Sequence, residues 1–203
     1  MDLTTLIAAC ALSVAPQVMH ALIWRASGAE PWSIDVGERR VMGSVREALD
    51  GARAIQPSHS AIRVGLTGRP SSPAAVTAAM FAPCENVAAT SAEIAQMVAR
   101  CKTTPGRGDP TYCAIAAWRG TWDHPDVHWA DLVRATAERH DAPDFEIPAS
   151  AQAQHGIESE TLRAKPDGNS PLFPAVVPKE AEGIFVGIRN GTGKTGGERG
   201  GAR

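Results

Sequence analysis

The sequence predicts a mostly α-helical domain with at most a small β-hairpin, followed by a flexible tail. Three observations predict this class. Apolar residues recur at helical spacing in one segment after another, and strand-like alternation is confined to one short run. Gly and Pro crowd the C-terminal part: ten of the 19 Gly in the 203-residue chain lie in residues 150–203. The remaining length suffices for one domain with its own core.

Leu3–Cys10 and Pro16–Ala26 read as the first two helices. Val18, Met19, Leu22, Ile23 and Ala26 mark the buried stripe of the second, and Pro16 suits a first helical turn, where its missing N–H costs nothing. Residues 34–42 are assigned to a hairpin arm opposite Ile62-Arg63-Val64-Gly65-Leu66, the best strand signal in the chain. Ser44-Val45-Arg46-Glu47 is a capping box that opens a helix running to Ile55. Pro73–Phe81 reads as a short Ala-rich helix. Asn86–Arg100 reads as a longer one, with Val87, Ile94, Met97 and Val98 facing inward. Thr111–Arg119 and Asp126–Arg139 complete the domain, which is expected to span residues 1–140.

Residues 141–203 read as linker and tail, because APDFEIPASAQAQHG and the Gly/Pro-rich text after it offer too little apolar surface to offset ordering. Gly183-Ile184-Phe185-Val186-Gly187-Ile188 is the one tail piece suited to pairing as a strand. Gly187 to Thr195 imitates a phosphate-binding loop, but five residues rather than four precede Gly193-Lys194-Thr195, and only GGERGGAR follows. No nucleotide site is expected there.

The formal net charge of −2 provides no global basic field, so neither nucleic acid nor an anionic membrane is an expected partner. MDLTTLIAACALSVAP is apolar, yet it opens on Asp2 and has no Lys or Arg before Arg25. It reads as a first helix rather than a secretory signal. No run approaches the roughly 18 apolar residues of a transmembrane span. Cys10, Cys84, Cys101 and Cys113 are spaced unlike metal knuckles. One reading pairs Cys101 with Cys113 across a Pro/Gly-rich loop and leaves Cys10 to Cys84, which implies an oxidising compartment. The other is four reduced core thiols.

The order of segments resembles a known family. Cys10-Ala11-Leu12-Ser13-Val14-Ala15-Pro16, then Leu22-Ile23-Trp24-Arg25-Ala26-Ser27-Gly28 and Glu30-Pro31-Trp32-Ser33-Ile34, resemble the start of the specialised lytic transglycosylases of type IV secretion and conjugation systems. That family reads C-A-P-x-V-A-P, then a helix ending in E-S-G, then N-P-x-A-I. His59-Ser60-Ala61-Ile62-Arg63-Val64-Gly65-Leu66 is similar to its H-S-x-D-x-G-L-M-Q-I-N. Phe81-Ala82-Pro83-Cys84-Glu85-Asn86-Val87 is similar to its D-P-C-x-N-L, and Ala114 to Gly120 to its A-x-x-A-Y-N-x-G. The resemblance covers roughly residues 3–139. It implies a goose-lysozyme-like fold, a peptidoglycan glycan strand as partner, secretion-system components as secondary partners, and a periplasmic or cell-envelope location, with cytoplasm the alternative. It also implies substrate contacts at Ser27, Gly28, Trp32, Gly65, Leu66 and Trp118, and no cofactor.

The departures fall on the chemistry. The family's single acid is the Glu of E-S-G, whose place Ala26 takes. Such an acid protonates the glycosidic oxygen and then accepts the proton of the muramoyl 6-hydroxyl as the anhydro ring closes; alanine does neither. General acid–base catalysis supplies about 10²–10⁴-fold. M-Q-I-N has become Thr67-Gly68-Arg69-Pro70, and the Tyr-Asn pair has become Trp118-Arg119. Glu30, in the following loop, is the weak substitute for the acid; the plainer reading makes it a solvated loop residue beside Pro31. His124 and His128, with Asp123 or Asp126, have metal-like spacing, but Pro125 opens a helix between them, so no metal is expected. No serine stands in a strained elbow, so no nucleophilic triad is expected. The expected function is thus a lytic-transglycosylase-like protein that remodels or binds the glycan strand with impaired catalysis. The alternatives are a non-catalytic glycan-binding or assembly protein on the same fold, and an unrelated helical interaction protein.

Overall fold

The computed structural model describes residues 1–152. The tail strand and the phosphate-loop imitation lie outside them. The helices are α1 (Leu3–Cys10), α2 (Pro16–Ser27), α3 (Val45–Ile55), α4 (Pro83–Lys102), α5 (Pro110–Arg119), α6 (Val127–Arg139) and a short α7 (Ala149–Gln152). Their ends follow from side chains. Asp2 caps α1 by accepting from the Thr5 amide at 2.7 Å, and Asp109 and Asp126 do the same for α5 and α6. Pro16 occupies the first turn of α2 as expected. At α3 the Ser44 hydroxyl accepts from the Glu47 amide at 3.2 Å. Glu47 answers by accepting from the Gly43 amide at 2.9 Å, one residue earlier than a standard capping box.

The expected hairpin is a four-stranded antiparallel sheet among the described residues. Strands β1 (Ser33–Asp35), β2 (Arg39–Val41), β3 (Ile62–Val64) and β4 (Arg69–Ser71) lie in the order β2-β1-β3-β4. β1 pairs with β3 as the sequence suggests, Ile34 opposite Val64, but it also pairs with β2, and β3 pairs with β4. Each strand has three residues, too few for alternation to register, and β4 tolerates Pro70 because it is an edge. The Ala-rich helix over 73–81 is also corrected. It is two 3₁₀ turns, Pro73–Ala75 and Ala78–Phe81, because Val76 and Thr77 between them are extended.

Two hydrophobic clusters result. The larger gathers Leu3, Met19, Leu22, Ile23, Val87, Ile94, Ile115 and Val133 from α1, α2, α4, α5 and α6. The smaller packs α3 (Ala48, Ala52, Ile55) on the sheet (Ile34, Ile62, Val64), with Phe81 closing it. Trp32 touches both clusters. Two disulfides fasten the helices: Cys10–Cys84 ties α1 to α4, and Cys101–Cys113 ties α4 to α5. Residues 143–152, read from sequence as linker, pack on the body. Phe145 stacks on Trp24 with ring centroids 5.1 Å apart, Ile147 is buried, and the backbone of Phe145 and Ile147 bonds to Leu3 and Met1. Two apolar side chains and a backbone bridge suffice to order a segment that composition marks as polar.

Candidate functional site

The end of α2, the turn between β3 and β4 and Arg119 at the end of α5 lie together. The chain leaves α2 through Gly28 and Ala29, at φ 68° and 65°, and Arg39 from β2 reaches back over Gly28. Ala26, where the family's acid would stand, is buried. It faces the turn between β3 and β4: a Cβ on Gly68 would lie 3.2 Å from the Ala26 Cβ and 3.8 Å from Arg119 Nη1.

A buried polar network fixes that turn. Asn86, on α4, accepts from the Thr67 amide at 2.9 Å and from its hydroxyl at 2.8 Å, and donates to the Met80 carbonyl at 2.7 Å. The Thr67 hydroxyl also bonds Thr90 at 2.7 Å. Gly65, at φ 75°, has no alternative at its position. A Cβ there would sit 2.4 Å from both Asn86 Nδ2 and the Met80 oxygen. Ser33 donates to the Gly65 carbonyl at 3.0 Å, which joins β1 to the same turn.

Arginine dominates the charge around this junction. Arg63, in β3, donates to the carbonyls of Gly68 and Arg119 and lies over the Trp118 ring, its guanidinium carbon 5.6 Å from the ring centre. Burial, and then the charge of Arg119, bring the Arg63 pKa down to about 10, against weaker support from Asp35 and Asp126. Arg119 pairs through Nη2 with Asp35 at 3.2 Å and covers the Trp129 ring at 5.0 Å, while its Nη1 is buried without a partner. On the other flank Glu93 binds Arg69 at 2.7 Å and accepts from the Trp118 indole at 3.1 Å. Asp35–Gly37, Ala61–Arg63, Pro70 and Arg119 surround an open cleft of about 240 Å³.

Most of the expected site residues are buried or half-buried. Ser27, Gly65 and Leu66 are interior, Gly28 is half-buried, and Trp118 is 3% exposed, with Arg63 lying on its face. A ring so covered offers no stacking surface to a sugar. Trp32 is half-buried, its indole nitrogen unpartnered. Glu30 is exposed on the loop after α2. Asp126 caps α6, so His124 precedes that helix while His128 lies on it. Among the described residues, no group of three or more His, Cys, Asp or Glu is placed to hold a metal ion, and no helix is long and apolar enough to cross a membrane. Sequence reasoning missed Arg63, Arg119, Asp35 and Glu93 as a group. Their signal was present, since Arg69 and Arg119 stand at two of the departures from the family pattern.

No protein-family description, curated protein or solved structure matches the chain.

Proposed function

We propose that the chain is a peptidoglycan-directed protein on a lytic-transglycosylase-like, lysozyme-like scaffold, which holds a glycan strand at a type IV secretion or conjugation apparatus rather than cleaving it. The observation that carries this reading is the setting of Ala26. The end of α2, the β3–β4 turn and the start of α4 meet there with the resembling motifs in order, yet the residue between them has no proton to give. Asp35 and Glu93, two carboxylates beside this junction, are each engaged with an arginine. Two arginines and a carboxylate in the cleft lining offer hydrogen-bond partners to a hydroxyl-rich ligand, beside apolar surface for a sugar ring. Two disulfides agree with a cell-envelope location, because such bonds persist in oxidising compartments.

Co-sedimentation with purified murein sacculi, followed by chromatography of the supernatant, tests the reading. Sedimentation without anhydromuropeptides is the expected result. Failure to sediment removes the glycan strand as partner, and release of anhydromuropeptides makes the protein an enzyme with a relocated acid, for which Glu30→Ala is the first variant.

A further inference from the structure

We propose that β2, the open edge of the sheet, is a docking site for an extended acidic segment of a partner protein, which adds to the sheet as a fifth strand. The inference does not rest on the glycan reading.

The ladder decides which backbone groups that edge presents. The Met42 amide donates to the Trp32 carbonyl and the Val36 amide to the Glu38 carbonyl, both at 3.3 Å. Ile34 stands opposite Arg40 in the same register, so alternation makes residues 34 and 40 a hydrogen-bonded pair as well. Arg39 and Val41 occupy the intervening positions, and their N–H and C=O groups point away from β1. The next ladder agrees. The Gly65 amide donates to the Ser33 carbonyl at 3.0 Å, which turns Ser33, the residue opposite Val41, towards β3. The flanking amides of Gly37 and Gly43 are satisfied within the chain, by Asp35 Oδ1 at 2.8 Å and Glu47 Oε2 at 2.9 Å. The outward groups of Arg39 and Val41 have no such partner among the described residues, and all three residues of β2 are exposed.

Side chains select the occupant. The opposite edge, β4, carries Pro70, which cannot donate to an added strand; β2 has no such guard. Arg39 and Arg40 form no ion pair among the described residues, and with only Glu38 beside them in the turn the edge is positive. A second copy of β2 laid antiparallel on it would set Arg40 against Arg40, and like charges directly opposite destabilise a pair. An acidic strand meets the same residues with opposite charge. Arg39 bends back over Gly28, so Arg40 carries most of this selection. Val41, 54% exposed, suits an apolar neighbour. An antiparallel partner strand then reads Val-Glu-Glu opposite Val41, Arg40 and Arg39, with main-chain bonds supplying affinity and side chains the choice of sequence.

The test is a titration of the ¹⁵N-labelled full chain with a capped peptide of sequence Thr-Thr-Val-Glu-Glu-Thr-Thr. The amide signals of Arg39 and Val41 should move downfield saturably and exchange more slowly with solvent, while that of Arg40, already bonded within the sheet, stays. N-methylating the peptide at Val or at the second Glu, whose amides meet the edge, should abolish binding; N-methylating the first Glu, whose amide faces away, should not. Val41→Pro removes an outward N–H and no ladder bond, so it should fold and fail to bind. Should that variant unfold, Arg40→Glu keeps the test: it should weaken binding roughly two- to thirtyfold, the loss of one exposed ion pair and the gain of a repulsion, and favour a Val-Lys-Lys peptide instead. Equal binding of the Val-Glu-Glu and Val-Lys-Lys peptides by the wild type overturns the acidic partner. Indifference to the position of the N-methyl group overturns strand addition, and no saturable shift at Arg39 or Val41 overturns the site. Concentration-dependent shifts of the same amides without peptide would assign the edge to a second copy of the chain and overturn the partner.

Discussion

Ala26→Glu, which places a glutamate where the resembling family has its acid, should not confer glycan cleavage. The Ala26 side chain is buried, and a Cβ on Gly68 would lie 3.2 Å from the Ala26 Cβ and 3.8 Å from Arg119 Nη1, so the last two are at most 7.0 Å apart. A glutamate placed there extends its carboxylate into reach of that guanidinium. An opposite charge at about 4–6 Å lowers a carboxyl pKa by about 1–3 units. With the ion pair outweighing the upward push of burial, the protonated fraction at neutral pH falls about ten- to a thousandfold relative to an ordinary glutamate, when catalysis needs a pKa raised towards 7. The same interaction has a signature independent of any activity. A folded pKa below the unfolded one stabilises the protein above the unfolded value, near 4.3 for glutamate, and that stability is lost as pH falls through the folded value. The melting temperature of Ala26→Glu relative to wild type should therefore decline between about pH 5 and pH 2. Overpacking beside the turn adds a pH-independent cost of about 1–3 kcal/mol. Differential scanning calorimetry across that range, with a muropeptide release assay on the same preparations, measures both effects. A variant that cleaves glycan unaided, or whose relative stability rises on acidification, refutes the reasoning. Adding Arg119→Gln to Ala26→Glu should abolish the acid-side decline.

Further outcomes follow from the same geometry. Gly65→Ala combines a left-handed backbone with two approaches of 2.4 Å, one of them to a backbone oxygen, so it should destabilise by about 3 kcal/mol or more and lower the melting temperature by roughly 10 °C. Replacing the Cys10–Cys84 pair by serines should cost about 4 kcal/mol and replacing Cys101–Cys113 about 3 kcal/mol, because the former closes a separation of 74 residues and the latter one of 12. Paired denaturant titrations check that order. Tyr112 is the single tyrosine, and burial, then Glu138, raise its pKa above the usual 10. An ultraviolet titration should show its phenolate forming late, with Glu138→Gln bringing the midpoint down. The stability contributed by the neutral phenol should be full below pH 10 and lost as pH climbs through the folded value.

How far the molecule was legible depended on the range of the interactions involved. α1, α2, α3 and the three long helices announce themselves through apolar spacing, caps and Pro16, all of which act within a few residues. Both disulfides were one of two readings open from spacing alone. The sheet was not legible as four strands, since Ser33–Asp35 and Arg69–Ser71 owe their conformation to partners elsewhere in the chain rather than to their own pattern. Val76 and Thr77, a β-branched pair, were the local warning that residues 73–81 would not form one helix. The burial of Ala26 was legible from its helical spacing, whereas that of Gly65 and the covering of Trp118 by Arg63 have no local signal. The arginine pair joins β3 to α5 across 56 residues, a juxtaposition that no local pattern encodes.

The cost of this junction bears on what it is for. Gly28, Ala29, Gly65 and Gly68 all hold left-handed backbone within the turns that meet at Ala26, and Ala29 does so without glycine's freedom, at a penalty of about 1–2 kcal/mol. Asn86, Thr67 and Thr90 are buried together to fix the turn, where apolar side chains would meet the demands of packing without desolvating polar atoms. Two arginines are then brought side by side at an open cleft, where burial, and then the charge of Arg119, lower the proton affinity of Arg63. A fold that needed only a core gains nothing from these arrangements. A surface that must present charge at a fixed place gains from each, because the turn, the ion pair and the ring stacking remove the freedom a ligand would otherwise have to remove. The rigidity of this junction, with Ala26 at its centre, suits the proposed role of gripping a ligand and leaving its bonds intact.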